Sequence, residues 1–406
     1  MKKKHILVIT QYFYPEQFRI NDMCAEWVKR GYKVTVLTGI PNYPNGVFYD
    51  GYGLKKKRKE KWNGVNIIRI PIIARGHSSI GLASNYVSFV ASGFLWNIFN
   101  DVNADLVFTY EVSPMTQALI GVWYAKAKHI PHYIYVTDLW PENVEVITGI
   151  HNKYVLGCIQ SMSDYIYRKS SVILTSSKSF IKAISKRKIS NRKIEFWPQY
   201  AEDFYVPINE SAKTEIPDDD ILNIVFAGNI GYAQGLGILV EVSKRLKQVG
   251  ILVRFSLIGD GRYLAELKER VKKENVENYF LFIDRKPAEE IPKYLSSADV
   301  ALISLSKSKV FSITIPAKTQ SCMACSIPLL VSADGEIQSI VKEANAGLVS
   351  DAEDVDGLFN NILKLTKMSK VQLQEYGANA LAYSKVHYNK QKLLNRIDTI
   401  FERGER

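Results

Sequence analysis

Twice along this chain, short and nearly continuous runs of Val, Ile and Leu alternate with longer stretches of helical period. Few folds accept that pattern. A strand without polar alternation must be covered on both faces, and strands separated by helices pair in parallel through right-handed crossovers. In the first half the runs are His5–Thr10, Lys33–Thr38, Val65–Ile70, Leu106–Tyr110, His132–Thr137 and Val172–Thr175. In the second they are Leu222–Ala227, Val253–Ile258, Phe280–Ile283, Val300–Ile303 and Pro328–Val331. A helix is expected over Asn21–Arg30, stopped by Gly31. Between the halves, Pro198, Pro207 and Pro217 punctuate a polar stretch ending in Asp218-Asp219-Asp220, the texture of a linker. The expected fold is α/β, with two Rossmann-like doubly wound domains facing a cleft. Ligands are expected beyond the carboxyl ends of the strands.

Composition narrows the function classes. The 406 residues are 47% hydrophobic and 23% charged, which excludes disordered and collagen-like chains. Four cysteines make no disulfide framework, so a reduced cytoplasmic setting is expected. The net charge of +12 is uneven. Residues 1–200 hold 27 Lys and Arg against 13 Asp and Glu, a net of +14; residues 201–406 hold 26 against 28, a net of −2. The first half should therefore face an anionic partner, whether a membrane leaflet, a phosphorylated substrate or nucleic acid. Met1 to Lys4 has the charge of a signal-peptide start, but the apolar run Ile6–Ile9 is too short to follow it as one. The charge-free stretch Gly76–Asn100 is too rich in Ser and Asn for a transmembrane helix, so the chain reads as soluble or peripheral. Within it, Leu82–Phe99 reads as a packed core helix in preference to a membrane-dipping one, with Ser84, Asn85, Ser88 and Ser92 as a narrow polar face. The run Lys55–Lys61 reads as a solvated loop with the alternative of holding anionic lipid.

Candidate chemistry sits at strand ends. Strand Leu222–Ala227 runs into Gly228-Asn229-Ile230-Gly231-Tyr232-Ala233-Gln234-Gly235, and helical period follows from Leu236. A glycine-rich turn between strand and helix lets backbone approach a diphosphate, and the helix N-terminus adds N–H groups. A second such loop is Ile258-Gly259-Asp260-Gly261. Further on, Pro316 reads as a first helical residue, with Lys318, Thr319, Gln320 and Ser321 behind it. A lysine in a first helical turn opposes the helix dipole, and an anionic ligand would explain it. The Cys322–Cys325 pair has no second ligand pair, so it reads as helix packing. In the first half, Asp138-Leu139-Trp140-Pro141-Glu142 places two carboxylates and an indole at a strand end, an arrangement suited to a sugar ring. Capping of the next helix by Asp138 is the alternative. The loops Gln11–Ile20 and Gly39–Gly46 offer Tyr14, Glu16, Arg19, Asn42 and Tyr43 for polar recognition. His129, His132 and His151 fit no metal spacing, and no metal is expected.

Together these motifs resemble the family 4 retaining glycosyltransferases of the GT-B fold. The likeness is greatest to bacterial O-antigen and capsule enzymes, including the N-acetyl-L-fucosamine transferases. It rests on Tyr12-Phe13-Tyr14-Pro15-Glu16, Thr38 to Gly46, Asp138 to Glu142, Ala227 to Gly231 with Ala233 to Leu236, and Ile315 to Ser321. The resemblance implies a nucleotide-sugar donor, a UDP-sugar, bound by residues 201–385. It implies an acceptor on residues 1–200, a polyprenyl-diphosphate-linked saccharide. Residues 386–406 would return to the first domain as a helix, Tyr388–Glu405. Transfer of an N-acetylated amino sugar would retain configuration without metal or cofactor, at the inner face of the cytoplasmic membrane. On this reading the donor set is Gly228, Asn229, Gly231, Gln234, Gly235, Gly259, Asp260, Gly261, Arg285, Lys286, Pro316, Lys318, Thr319, Gln320 and Ser321. Asp138, Glu142 and Lys318 are the catalytic candidates, and Trp140 joins the acceptor loops. The chain departs from the family at Asn229 and Gln234, where Arg and Lys are usual, and at Ile313 and Ser321, where a Glu pair is usual. Ser326 replaces the usual glycine, and Cys322 the usual aromatic. Lys318 and Arg285 would then neutralise the diphosphate, and Gln320 or Ser321 take the ribose. Two other readings stay open: a GT-B UDP-sugar 2-epimerase, and a non-catalytic membrane- or nucleic-acid-binding protein. Nucleic acid is not expected, since no recognition motif accompanies the basic charge.

Overall fold

The computed structural model describes residues 4–76, 78–208 and 213–403. The basic start at Met1–Lys3 and the end of the expected return helix, beyond residue 403, lie outside them. The chain divides into unit 1, residues 1–197 with 395–406, and unit 2, residues 198–394. The linker break thus falls at Trp197–Pro198, and the returning segment starts at Asn395 rather than residue 386.

Unit 1 runs β1 (His5–Ile9), α1 (Arg19–Lys29), β2 (Lys33–Thr38), β3 (Lys59–Trp62), β4 (Val65–Arg69), α2 (Ser79–Phe99), β5 (Leu106–Glu111) and α3 (Ala118–Lys128). It continues with β6 (His132–Val136), α4 (Glu142–Thr148), α5 (Lys153–Lys169), β7 (Val172–Thr175), α6 (Lys178–Ser185) and β8 (Ile194–Phe196). The strand order is β3-β4-β2-β1-β5-β6-β7-β8, parallel except for β3. All five residues of β1 and of β6 are buried, as continuous apolar runs require.

The basic run corrects one expectation. Lys59–Trp62 is an antiparallel edge strand on β4, with Lys59 and Lys61 exposed and Glu60 and Trp62 half-buried. An edge strand needs only one apolar position and is protected by lysine, so it leaves no apolar run to read. β8 closes the other edge. A second correction concerns α2. Its inward face carries Asn85, Phe89 and Gly93, while Ile80, Val87, Phe94, Leu95, Ile98 and Phe99 are 51–82% exposed. It is therefore not a core helix. Its polar stripe turns inward: Asn85 Nδ2 donates to the Ile73 carbonyl at 2.6 Å, and Ser88 Oγ accepts from Ile73 N at 2.9 Å.

Unit 2 runs β9 (Leu222–Ala227), α7 (Ile238–Gln248), β10 (Val253–Ile258), α8 (Leu264–Lys273), β11 (Phe280–Ile283), α9 (Ile291–Ser296), β12 (Val300–Ser304) and α10 (Lys318–Ala324). Then come β13 (Leu329–Ser332), α11 (Glu336–Glu343), β14 (Gly347–Ser350), α12 (Val355–Leu365), α13 (Lys370–His387) and α14 (Lys390–Arg403). Its parallel sheet has the order β11-β10-β9-β12-β13-β14.

From Asn395 onward, α14 belongs to unit 1. Phe401 packs its ring 5.0 Å from Tyr133, 5.8 Å from Trp27 and 6.1 Å from Phe108. Asp398 accepts from Arg30 at 2.8 Å and from the Tyr32 hydroxyl at 2.9 Å. Phe401 is 1% exposed. Truncating a buried ring removes its transfer free energy and leaves a cavity. Phe401→Ala is expected to destabilise unit 1 by about 3–5 kcal/mol, read from the urea midpoint.

Candidate functional site

A doubly wound sheet opens where successive strands begin to step in opposite directions. In unit 2 that point lies between β9 and β12. The loop after β9 and the connection from β12 to α10 flank it.

The two glycine-rich loops are zipped together. Gly228 N donates to the Ile258 carbonyl at 2.9 Å, Ile230 N to the Asp260 carbonyl at 2.8 Å, and Tyr263 N to the Ile230 carbonyl at 3.0 Å. A Cβ on Gly259, at φ +142°, would lie 1.9 Å from the Gly228 carbonyl oxygen, and one on Gly261 2.3 Å from that of Ile230. These glycines therefore permit loop-on-loop contact. This corrects the expectation that amides of Gly228–Gly231 face a diphosphate, because those of Gly228, Ile230 and Gly231 are already bonded. Gly231 N donates to Gln234 Oε1 at 3.1 Å, so Gln234 caps its own turn. Asp260 Oδ1 accepts from Gly261 N at 2.7 Å. The Asn229 amide fits over Gly231 and Gly261, where Cβ atoms would fall 2.7 Å from Nδ2 and 2.8 Å from Oδ1. Gly235, at φ +59°, backs onto the Ser306 backbone.

Lys318 is different. Its helix begins at Lys318 itself; Pro316 forms the preceding turn, its carbonyl accepting from Thr319 N at 2.9 Å. Lys318 is part-buried as a residue, and its Nζ is buried with no hydrogen-bond partner among the described residues. It lies 3.4 Å from the Phe226 ring centroid, and a Cβ on Gly228 would sit 3.1 Å from it. Burial pushes the Lys318 pKa down to about 7. Among the described residues, the neighbouring Thr319 Oγ1 and Gln320 Oε1 are buried without hydrogen-bond partners, as are Ser304 Oγ and Ser332 Oγ at the ends of β12 and β13. Ser321 is buried beside them. A hollow of about 420 Å³ on another side of the glycine loop is rimmed by Glu241, Glu266 and Glu353, with Arg270 already on Glu241 and the Tyr263 hydroxyl. Such a carboxylate rim repels a diphosphate. Arg285 is exposed in the loop after β11. Lys286 is tied up: Nζ donates to Glu215 at 2.5 Å, and Glu215 also accepts from the Tyr294 hydroxyl.

In unit 1 the strands reverse direction between β1 and β5. Gln11, just past β1, donates its N–H to Gln117 Oε1 at 2.6 Å and its side-chain amide to Asn85 Oδ1 at 2.5 Å. Glu16 is 2% exposed, which corrects its assignment to an acceptor. Its carboxylate accepts from the backbone N–H of Phe13, Asn42 and Tyr43 at 3.2, 2.8 and 2.7 Å. It staples the loop after β1 to the loop after β2, and burial pushes its pKa up to about 7. Asn42 is buried too, with Oδ1 accepting from Arg75 N at 2.9 Å. Tyr14, Arg19 and Tyr43 remain part-exposed. Tyr14 stacks on Trp62 at 4.8 Å, and Tyr43 carries the Arg75 guanidinium 5.2 Å from its centroid.

The strand-end carboxylates have partners. Asp138 Oδ2 accepts from Ser113 N at 2.8 Å and Ser113 Oγ at 2.7 Å, so it ties two strand-end loops together and caps no helix. Glu142 receives both of its 2.6 Å hydrogen bonds from Arg187. Trp140 is 6% exposed and donates to Ser113 Oγ at 3.1 Å, so it offers no open platform. Sequence reasoning missed Glu111, Ser113 and Arg187. Glu111 closes β5, fully buried, and both its carboxyl oxygens lack a hydrogen-bond partner among the described residues. Burial, with the Asp138 carboxylate nearby, pushes its pKa well up. A glutamate ending an otherwise apolar run was the signal.

Lys318 makes a prediction for the free protein. Its folded pKa lies below its unfolded one, so the cost of burying it is full below about pH 7 and fades as pH rises toward the unfolded value. Lys318→Met is expected to be more stable than wild type at pH 7 by about 1–3 kcal/mol. Urea unfolding at pH 7 and at pH 10 should show that difference shrinking.

Residues 208–380 match the family described as glycosyl transferases group 1. A stretch of 147 residues is 28% identical to the amylovoran biosynthesis glycosyltransferase AmsK of Erwinia amylovora, spanning only 36% of each chain. WcaI of Escherichia coli, a glycosyl transferase named for colanic acid biosynthesis, is 21% identical over 81% of this chain and 83% of its own. Among solved structures, sucrose-phosphate synthase from Thermosynechococcus elongatus superposes with a TM-score of 0.78 at 15% identity, over 99% of both chains. Alr3699/HepE of Anabaena, in complex with UDP and glucose, does so at 0.70 and 13%, over 98% of this chain and 99% of its own. The fold is therefore GT-B.

Proposed function

We propose, from the match of residues 208–380 to the glycosyl transferases group 1 family, that the protein transfers a sugar from a UDP-sugar to a polyprenyl-diphosphate-linked saccharide. The product belongs to a bacterial surface polysaccharide, in line with the biosynthetic names of AmsK and WcaI. The sugar is an N-acetylated amino sugar, and its configuration is retained. The observation that carries this reading is the buried Lys318 Nζ, without a hydrogen-bond partner among the described residues, beside Gly228 at the strand-reversal point of unit 2. A diphosphate there completes the missing ion pair. The UDP bound by HepE supports the choice of base.

The chemistry follows from charge. As the bond from the anomeric carbon to the diphosphate oxygen breaks, negative charge grows on the leaving group. Lys318, protonated once the diphosphate arrives, stabilises it in a site sheltered from water. The acceptor hydroxyl forms the new bond to the anomeric carbon on the same face and gives its proton to the departing phosphate. Glu142 is held by Arg187 and Asp138 by Ser113, which suits orientation better than nucleophilic attack. The buried hydroxyls and amide of Thr319, Gln320 and Ser321 form the polar surroundings from which the ribose is held.

Incubation with a panel of UDP-sugars and a lipid-diphosphate saccharide should yield glycosylated lipid. Lys318→Met should lower kcat/KM by about 100-fold or more. Unchanged turnover in the variant would remove the phosphate assignment. Conversion of the UDP-sugar to its 2-epimer without acceptor would overturn the transferase reading.

A further inference from the structure

Helix α2 presents an apolar stripe to solvent where its sequence offers no charge. Ile80, Val87 and Phe94 recur every seven residues, with Leu95, Ile98 and Phe99 beside them, all more than half exposed. The helix is firmly seated through its other face. A Cβ on Gly93 would lie 2.2 Å from Ile120 Cδ1, and Trp96 stacks on Tyr124 at 5.8 Å. Phe94 meets Trp123 of α3 edge-on at 5.7 Å. The stripe is thus a fixed surface feature. Its orientation is the reverse of a surface helix in water, because Asn85 and Ser88 are the groups turned inward. A contiguous exposed apolar stripe of this size marks an interaction surface.

The charge around it identifies the occupant. The steps β4 to β5, β5 to β6, β6 to β7 and β7 to β8 all run the same way along the sheet. Right-handed crossovers therefore put α2, α3, α4, α5 and α6 on one face. Those five helices carry seven Lys and Arg against three acids, Glu142, Glu145 and Asp164, and Glu142 is already paired with Arg187. All seven basic residues are exposed, and Asp164 is engaged by Gln160 at 2.8 Å. At the start of α5, Tyr154 adds an 87% exposed aromatic. We infer that this face docks on an anionic bilayer, with the α2 stripe entering the acyl boundary and the lysines of α3, α5 and α6 meeting the headgroups. No helix of the described residues is long and apolar enough to cross a membrane, so the attachment lies along the surface. Self-association through α2 would leave the basic excess facing a second basic excess, which repels.

The test uses the full chain with vesicles containing phosphatidylglycerol and with vesicles of phosphatidylcholine alone, and no sugar, so it is independent of the transferase reading. Co-sedimentation is expected with the anionic vesicles only. The double variant Phe94→Ser, Phe99→Ser should bind about tenfold more weakly or worse while keeping the wild-type melting temperature. Lys178→Glu with Lys182→Glu should weaken binding and reduce its salt dependence. Ile80→Asp, at the start of the helix, serves as a second apolar variant should the double one fold poorly. Equal binding of wild type and apolar variants would overturn the proposal. So would a wild type that ignores anionic vesicles, whether it is a monomer or a dimer dispersed by Phe94→Ser, Phe99→Ser.

Discussion

The Lys318 side-chain nitrogen is buried with no hydrogen-bond partner among the described residues, and the arrangement around it organises the strand-reversal point of unit 2. Zipped glycine loops hold Gly228 beside Nζ, where a Cβ would lie only 3.1 Å from the nitrogen. Phe226 supplies an aromatic face at 3.4 Å, a partial substitute for water while no anion is present. Backbone amides contribute less than a glycine-rich loop suggests, because three of them are spent on the neighbouring loop and on Gln234. On the proposed reading, a diphosphate would rely chiefly on Lys318, whose charge state is itself adjustable near neutral pH.

Unit 1 solves a different problem. Its loops must present part-exposed Tyr14, Arg19 and Tyr43 in fixed places, and buried polar groups do the fixing. Glu16 joins the loops after β1 and β2 through three amides. Gln11, Gln117 and Asn85 bridge the strand-reversal point to α2. Asp138 and Ser113 lock the ends of β5 and β6 together. The same Asn85 that orders the site loops also turns the polar stripe of α2 inward, which leaves the apolar stripe outward. Site geometry and the proposed membrane face are thus linked through one helix.

The central strands were legible in the sequence because burial on both faces demands continuous apolar runs, and β2, β7, β9 and β10 fall where the runs do, as does the edge strand β11, whose Phe-Leu-Phe-Ile run is apolar throughout. The other edge strands, β3, β8 and β14, were not legible, since an edge strand can form with little apolar sequence. α2 was legible as a helix, but its orientation was not. Hydropathy reports how apolar a stretch is; only the neighbours Gln11, Ile73 and Ile120 decide which side is covered. At the site, Lys318 stood out because it opposes the helix dipole. The roles of Glu16, Asn42, Trp140 and Glu142 did not, because a polar residue in a strand-end loop looks the same whether it binds a ligand or another loop. Arg187, far from Glu142 in sequence, carries the difference.

The most direct test of the account is the proton that accompanies the diphosphate. Lys318 is largely neutral in the free protein above about pH 7, and an adjacent diphosphate must charge it. Titration calorimetry of UDP at pH 8, in HEPES and in Tris, reads proton uptake from the difference in binding enthalpy. The account predicts uptake approaching about one proton per UDP in wild type and none in Lys318→Met. Binding with no proton uptake, or with the same uptake in both proteins, would contradict it.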